Sequence, residues 1–176
     1  MTYVYELKIP KQRIAVLIGK KGEVKKEIEE ATKVKIRVDS KEGDVFLEGE
    51  DGLSLYIAKE VVRSIGRGFN PDVAKLLLKA DYVFEQINLP DYAKTKNALK
   101  RLKGRVIGSE GKSRKNIESL TNCSIIVFGK TISIIGPSEQ APIARHAIEM
   151  LLRGSTHSTV YKWLENKCKE LRFKNV

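Results

Sequence analysis

The chain has 176 residues, of which 41% are hydrophobic and 31% charged, with a formal net charge of +11 and a pI near 9.6. That length buries one sizeable core or two compact ones, and the basic balance suits a polyanionic partner such as nucleic acid. No apolar run approaches the ~18 residues of a membrane span, Met1-Thr2-Tyr3-Val4-Tyr5-Glu6 lacks the basic-then-apolar order of a signal peptide, and Cys123 and Cys168 stand too far apart for a metal knuckle, so a reduced, cytoplasmic protein with no membrane partner is expected.

Tyr3 to Ile9 alternates polar and apolar residues and predicts a half-buried strand. Pro10 suits the start of a short helix ending at Gly19. Glu23 to Thr32 predicts a charged helix with Val24, Ile28 and Ala31 on one face, and Val34, Ile36 and Val38 alternate as a second strand. After a turn over Ser40 to Asp44, Val45-Phe46-Leu47 predicts a third strand, and Leu53 to Ile65 a helix stopped by Gly66-Arg67-Gly68. Residues 67–80 read as a connector with a short helix over Asp72 to Lys79.

The order then restarts. Tyr82 to Leu89 is strand-like, and Pro90 follows it as Pro10 followed Ile9. A longer basic helix comes next, then a helix over Lys112 to Thr121, strands over Cys123 to Phe128 and Thr131 to Ile135, and a helix over Glu139 to Leu152. Val160, Leu164, Cys168 and Leu171 share one face of a further helix over residues 157–172.

The restart is anchored by a repeated phrase. Leu17-Ile18-Gly19-Lys20-Lys21-Gly22 returns as Val106-Ile107-Gly108-Ser109-Glu110-Gly111, an offset of 108 − 19 = 89, and Lys25, Lys26, Ile28 and Thr32 recur at that offset as Arg114, Lys115, Ile117 and Thr121. One Gly-x-x-Gly is a weak signal; two with matching flanks mark one module present twice. The Pro-to-Pro offset is only 90 − 10 = 80, so nine residues have been added ahead of the second loop, among them Lys94, Lys96 and Lys100. Glycines without Cβ let the main chain approach a phosphodiester closely, and a loop that opens a helix presents unpaired N–H groups and a positive dipole end to an anion.

Gly104 to Gly111, followed by Ile117 and Thr121, resembles the K-homology (KH) signature, and the first copy resembles it with Ala15 in place of Gly104. The resemblance implies an α+β chain of two type I KH domains (β-α-α-β-β-α), each a three-stranded sheet packed on three helices, with an extra C-terminal helix. The divisions expected are a first domain over 1–66, a connector over 67–80, a second domain over 81–154 and the added helix over 155–176. It also implies that the loop clamps about four nucleotides of single-stranded RNA. The RNA-binding residues expected are then Gly19, Lys20, Lys21, Gly22 and Lys25 in the first copy. In the second they are Arg101, Lys103, Arg105, Val106, Ile107, Gly108, Ser109, Gly111, Lys112, Arg114, Lys115, Ile117 and Ile125. By position, Leu17, Ile18, Ile28 and Ile36 line one base groove and Val106, Ile107, Ile117 and Ile125 the other.

Charge separates the copies. Residues 1–90 hold 16 Lys and Arg against 15 Asp and Glu, whereas residues 91–176 hold 17 against 7. Nine of those bases fall between Lys94 and Lys115, with Glu110 the lone acid, while Glu23, Glu27, Glu29 and Glu30 follow the first loop and offset Lys25 and Lys26. The second copy is the expected main site. Catalysis is not expected: His146 and His157 lack metal-ligand spacing, Glu27, Glu29 and Glu30 read as a solvated helix face, and no cofactor or metal is called for.

Around the second module, Ile87-Asn88-Leu89-Pro90-Asp91-Tyr92, Gly104 to Gly111, Thr121-Asn122 and Tyr161 onward are similar to the archaeal Dim-type ribosome-assembly factors. That resemblance implies small-subunit rRNA near its 3′ end as ligand, with a NOB-type endonuclease and other small-subunit factors as partners. A protein-interaction scaffold and a general single-stranded nucleic-acid regulator are the alternative functions for the same modules.

Overall fold

The computed structural model describes residues 1–175, and these divide into two compact units, Met1–Tyr82 and the chain from Val83 on. The first unit runs β1 (Tyr3–Lys8), α1 (Ile14–Ile18), α2 (Glu23–Thr32), β2 (Lys35–Asp39), β3 (Asp44–Gly49), α3 (Gly52–Gly66) and α4 (Pro71–Ala74). Its sheet order is β1-β3-β2, with both pairings antiparallel. Alternation on β3 turns Val45 and Leu47 inward, where they pack with Ile28, Ile36, Val61, Val62 and Ile65, all essentially inaccessible to solvent. The segment 67–80 is not extended. It folds as α4 and a 3-10 turn over Lys75–Leu78, buries Phe69, Ala74 and Leu77, and pairs Lys75 with Glu27 of α2.

The second unit runs β4 (Tyr82–Asn88), α5 (Lys96–Ile107), α6 (Lys112–Thr121), β5 (Ser124–Phe128), β6 (Thr131–Pro137), α7 (Ala141–Leu152) and α8 (His157–Lys174), with sheet order β4-β6-β5. The β-α-α-β-β-α order expected of each copy is present twice, and the added helix is α8. Its core joins Ile87, Leu102, Val106, Ile117, Ile125, Ile134, Ile148 and Leu151 to Val160 and Leu164 of α8. Cys168 of the same helix donates to the carbonyl of Leu120, so α8 closes the open side of α6.

Two local departures have plain causes. Ala31, expected on the buried face of α2, is exposed, and Thr32 takes the buried place because its hydroxyl donates to the Ile28 carbonyl at 2.7 Å and needs no water. Thr121 repeats this with Ile117 at 2.6 Å. α7 begins at Ala141 rather than Glu139, where Pro142 in the first turn costs no hydrogen bond.

Candidate nucleic-acid interface

The two glycine phrases fold identically. Gly19 and Gly108 have φ/ψ of 75/176° and 77/173°; Lys21 and Glu110 have 56/28° and 55/26°; Gly22 and Gly111 have 75/14° and 74/13°. The two glycines of each loop serve different ends. A Cβ on Gly19 would lie 2.5 Å from Val24 Cγ2 and 2.9 Å from Val24 N, and one on Gly108 would lie 2.7 Å from Ser113 Cβ and 2.8 Å from Ser113 N, so the first glycine is required by space as well as by φ. A Cβ on Gly22 meets nothing within 4 Å, and one on Gly111 only the Lys115 side chain at 3.7 Å; there the positive φ is the sole demand.

Each loop delivers the chain into a helix whose end is left open. α3, α5 and α8 begin on capping side chains, with Asp51 accepting from Ser54 N, Thr95 from Ala98 N and Thr156 from Thr159 N. α2 and α6 begin on Gly22 and Gly111, with no side-chain cap. Glu23 N and Lys112 N donate back to the Lys20 and Ser109 carbonyls of the loops, leaving the positive dipole end of each helix at the loop as its attraction for a phosphate.

Two carboxylates hold these helices to their sheets. Glu29 accepts from Ile36 N at 2.9 Å, and Glu118, at the same offset of 89, accepts from Ile125 N at 2.9 Å. Glu27 is likewise committed, to Lys75, and this contact, ahead of the charge of Asp72, raises the lysine's pKa. The ion pair with Lys75 offsets the charge of Glu27, whereas the amide bound by Glu29 is neutral and offsets none of its charge. Beside the first loop lies a cleft of about 300 Å³ lined by Ile18, Lys21, Gly22, Lys25, Lys26, Glu29 and Val38: an apolar floor under three lysines and one glutamate. Lys26 and Val38 were not among the residues expected to bind; strand alternation from Ile36 was the available sign for Val38.

In the second loop, Arg101, Ser109, Lys112 and Lys115 are exposed and Lys103 is half-buried. Arg105 is different. Its Nε donates to the Leu151 carbonyl at 3.0 Å and its Nη2 to the Ser155 carbonyl, binding α5 to the end of α7. His157 at the start of α8 meets the Arg105 carbonyl at 2.9 Å. Arg13 does the same work in the first unit, donating to the Ile65 and Phe69 carbonyls at 2.8 Å each. Arg114 is held by Glu118 at 3.0 Å. Of the nine bases counted near this loop, the remaining seven, Lys94, Lys96, Lys100, Arg101, Lys103, Lys112 and Lys115, form no ion pair among the described residues.

The aliphatic residues expected in the grooves divide by burial. Leu17, Ile28 and Ile36, and their counterparts Val106, Ile117 and Ile125, are core residues, at most 3% exposed. Only Ile18 and Ile107, which adjoin the first glycine of each loop, keep partial access to solvent. Leu17, Ile28, Val106 and Ile117 sit on helices and Ile36 and Ile125 on β2 and β5, and all six are part of the core.

A KH-domain family description matches residues 4–64, and a eukaryotic-type KH-domain (KH-domain type I) description matches residues 83–169. A KH domain-containing protein of Methanocaldococcus jannaschii is 51% identical over 174 residues, spanning 95% of this chain and 76% of that protein. The crystal structure of Dim2p from Pyrococcus horikoshii OT3 superposes with a TM-score of 0.87 at 48% identity, covering 93% of this chain and 99% of that one. The chain belongs to the Dim2/PNO1 family of tandem KH-domain proteins. A second structure from P. horikoshii, a complex of a/eIF2alpha, aDim2p and rRNA, gives a TM-score of 0.89 at 47% identity over 96% of both chains. Eukaryotic family members are longer: the pre-rRNA-processing protein PNO1 of Chaetomium thermophilum is 30% identical, over 73% of this chain and 52% of its own length. The Dim2/PNO1 chain described here thus spans about half of such a relative.

Proposed function

We propose that this protein binds single-stranded rRNA of the small subunit near its 3′ end, through both glycine loops, and serves as an assembly factor in its processing. The observation that carries the reading is the duplicated loop geometry: two backbones within a few degrees of each other, each opening an uncapped helix among unpaired lysines. The relatives' roles in pre-rRNA processing and in a complex with rRNA support it. The second loop is the stronger electrostatic site, because its half of the chain carries most of the net charge and Arg101, Lys103, Lys112 and Lys115, all without an ion pair among the described residues, lie within seven residues of it in sequence, and the first contributes through the Ile18–Val38 cleft. A NOB-type endonuclease is the partner that would act on the RNA so held, and a/eIF2alpha is a second protein partner, by likeness to the complex from P. horikoshii.

The geometry supplies matched probes. Gly22→Asp and Gly111→Asp each place a carboxylate at the loop, in open space, at a φ that Asp tolerates better than most residues. In fluorescence titrations with an oligoribonucleotide carrying the small-subunit 3′ sequence, Gly111→Asp is expected to weaken binding more than Gly22→Asp. Unchanged affinity in Gly111→Asp would overturn the assignment of the second loop.

A further inference from the structure

Apart from Met1 and Phe173, every large hydrophobic residue exposed among the described residues lies along one edge of the first unit. Tyr3 (47%), Val4 (65%) and Tyr5 (40%) stand on β1, and Leu53 (67%) and Tyr56 (55%) on α3. β1 is an outermost strand, so the main-chain groups on its free side have no sheet partner. Tyr3 and Tyr5 pair in register with the buried Gly49 and Leu47, which puts them on the helix side of the sheet. Lys59 of α3 joins the two elements, its Nζ 5.1 Å from the Tyr5 ring and 4.8 Å from the Tyr56 ring. Val4 faces the other way and lines a cleft of about 290 Å³ with Lys35, Arg37, Phe46 and Glu48, in which the Arg37 guanidinium lies 4.3 Å over the Phe46 ring.

Free edges invite pairing with other chains, and proteins usually blunt them with charge or proline. The opposite edge of this sheet follows that rule, with Lys35, Arg37 and Asp39 exposed along β2. β1 does not follow it over Tyr3-Val4-Tyr5. Both surfaces flanking that stretch are apolar at their centres.

We propose that this edge docks an extended segment of a protein partner, which adds to β1 as a fourth strand. Alternate side chains of that segment would seat on the Tyr5–Lys59–Tyr56 surface and on the Val4 cleft. The free main-chain edge selects an extended peptide over RNA as the occupant, because its unpaired N–H and C=O groups complement another strand and not a phosphate backbone. Charge adds no pull for RNA: Glu6, Glu48, Glu50 and Asp51 near this edge are matched by Lys8, Lys35, Arg37 and Lys59. Val4, Glu6 and Lys8 share one face of β1, so the fitting segment carries an apolar residue, a base and an acid at alternate positions. The proposal rests on the reading that this protein, like its relative from P. horikoshii, assembles with a/eIF2alpha as well as with RNA, and it assigns the β1 edge to that partner.

The test uses the full chain in surface plasmon resonance against immobilised a/eIF2alpha, with oligoribonucleotide titration and thermal melting of the same preparations. Val4→Lys restores edge protection at an exposed position, and Tyr56→Ser changes the helix side without touching the strand. Each is expected to weaken a/eIF2alpha binding by about thirtyfold, with RNA affinity and melting unchanged. Wild-type binding that both variants retain overturns the surface and leaves the partner intact. A wild type that does not bind a/eIF2alpha overturns both. Loss of RNA affinity in the variants would make the tyrosines a stacking platform instead, and a wild-type dimer dissolved by Val4→Lys would make the occupant a second copy; either result overturns the proposal.

Discussion

Arg105 lies three residues before the second glycine loop, in the most basic stretch of the chain, yet its guanidinium faces inward to two carbonyls at the end of α7. Replacing it with Gln separates the two roles. A hydrogen bond from a charged donor contributes about 1.5–3 kcal/mol, and an orphaned carbonyl is under-satisfied at some cost. The Leu151 carbonyl keeps a partner, because Gly154 N also donates to it at 3.2 Å, so full orphaning is avoided there. Losing both guanidinium bonds therefore costs about 2–3 kcal/mol, which lowers the melting midpoint by roughly 10–15 °C for a unit of this size. Urea unfolding would report the same loss in the midpoint with an unchanged slope. Binding of oligoribonucleotide at temperatures where the variant is folded should keep its salt dependence. Lys112→Gln is the counterpart, with unchanged stability and a salt slope shallower by about 0.7. If Arg105→Gln melts like wild type and its salt slope falls, the guanidinium contacts phosphate and the structural assignment is wrong.

The two glycines of one loop should respond differently to substitution: Gly108→Ala, which drives Cβ into Ser113, should destabilise by more than 2 kcal/mol, whereas Gly111→Asn, at a φ that Asn adopts, should cost about 1 kcal/mol or less. Equal losses in calorimetry would refute the distinction. Burial raises the Cys123 thiol from 9.0 to about 11, with the Thr121 side chain only partly opposing it, and burial raises Cys168 as well. A raised folded pKa means the unfolded chain releases its proton first. This contribution is thus complete below pH 9 and is lost as pH climbs toward 11. Alkaline unfolding titrations should show that loss in wild type and less of it in Cys123→Ala. Both thiols should resist iodoacetamide at pH 7.5 until urea unfolds the chain, and rapid alkylation of the native protein would contradict their burial.

Elements that rest on periodicity were legible before any coordinates. The alternation at Val34-Val38 and the spacing of Val160, Leu164 and Cys168 each report one buried face, and each element formed there. The duplicated glycines were legible for a different reason, since few residues tolerate their dihedrals. What composition conceals is how charge is spent. Glu27 and Glu29 look like a screen over Lys25 and Lys26, but one holds Lys75 and the other a strand amide. Arg105 and Arg114 look like phosphate ligands, but Arg105 bonds the end of α7 and Arg114 pairs with Glu118 of its own helix. The Arg114–Glu118 pair has a helical spacing that a sequence shows; the partners of Glu29, Glu27 and Arg105 lie from 7 to 50 residues away, a separation that no local pattern encodes. Burial depth was hidden in the same way: Ile18 and Leu17 are adjacent and equally apolar, and only packing decides that Leu17 is sealed.

Lys21 and Glu110 occupy the same left-handed backbone position with opposite charges, and the loop around them does not change shape. The outer glycines are needed for their dihedrals, and at the inner left-handed position a lysine and a glutamate carry the same backbone demand. Charge can therefore be exchanged at that position with the backbone unchanged. Each copy's affinity is then an adjustable quantity on an inherited scaffold, and two loops of identical form can be tuned apart one side chain at a time.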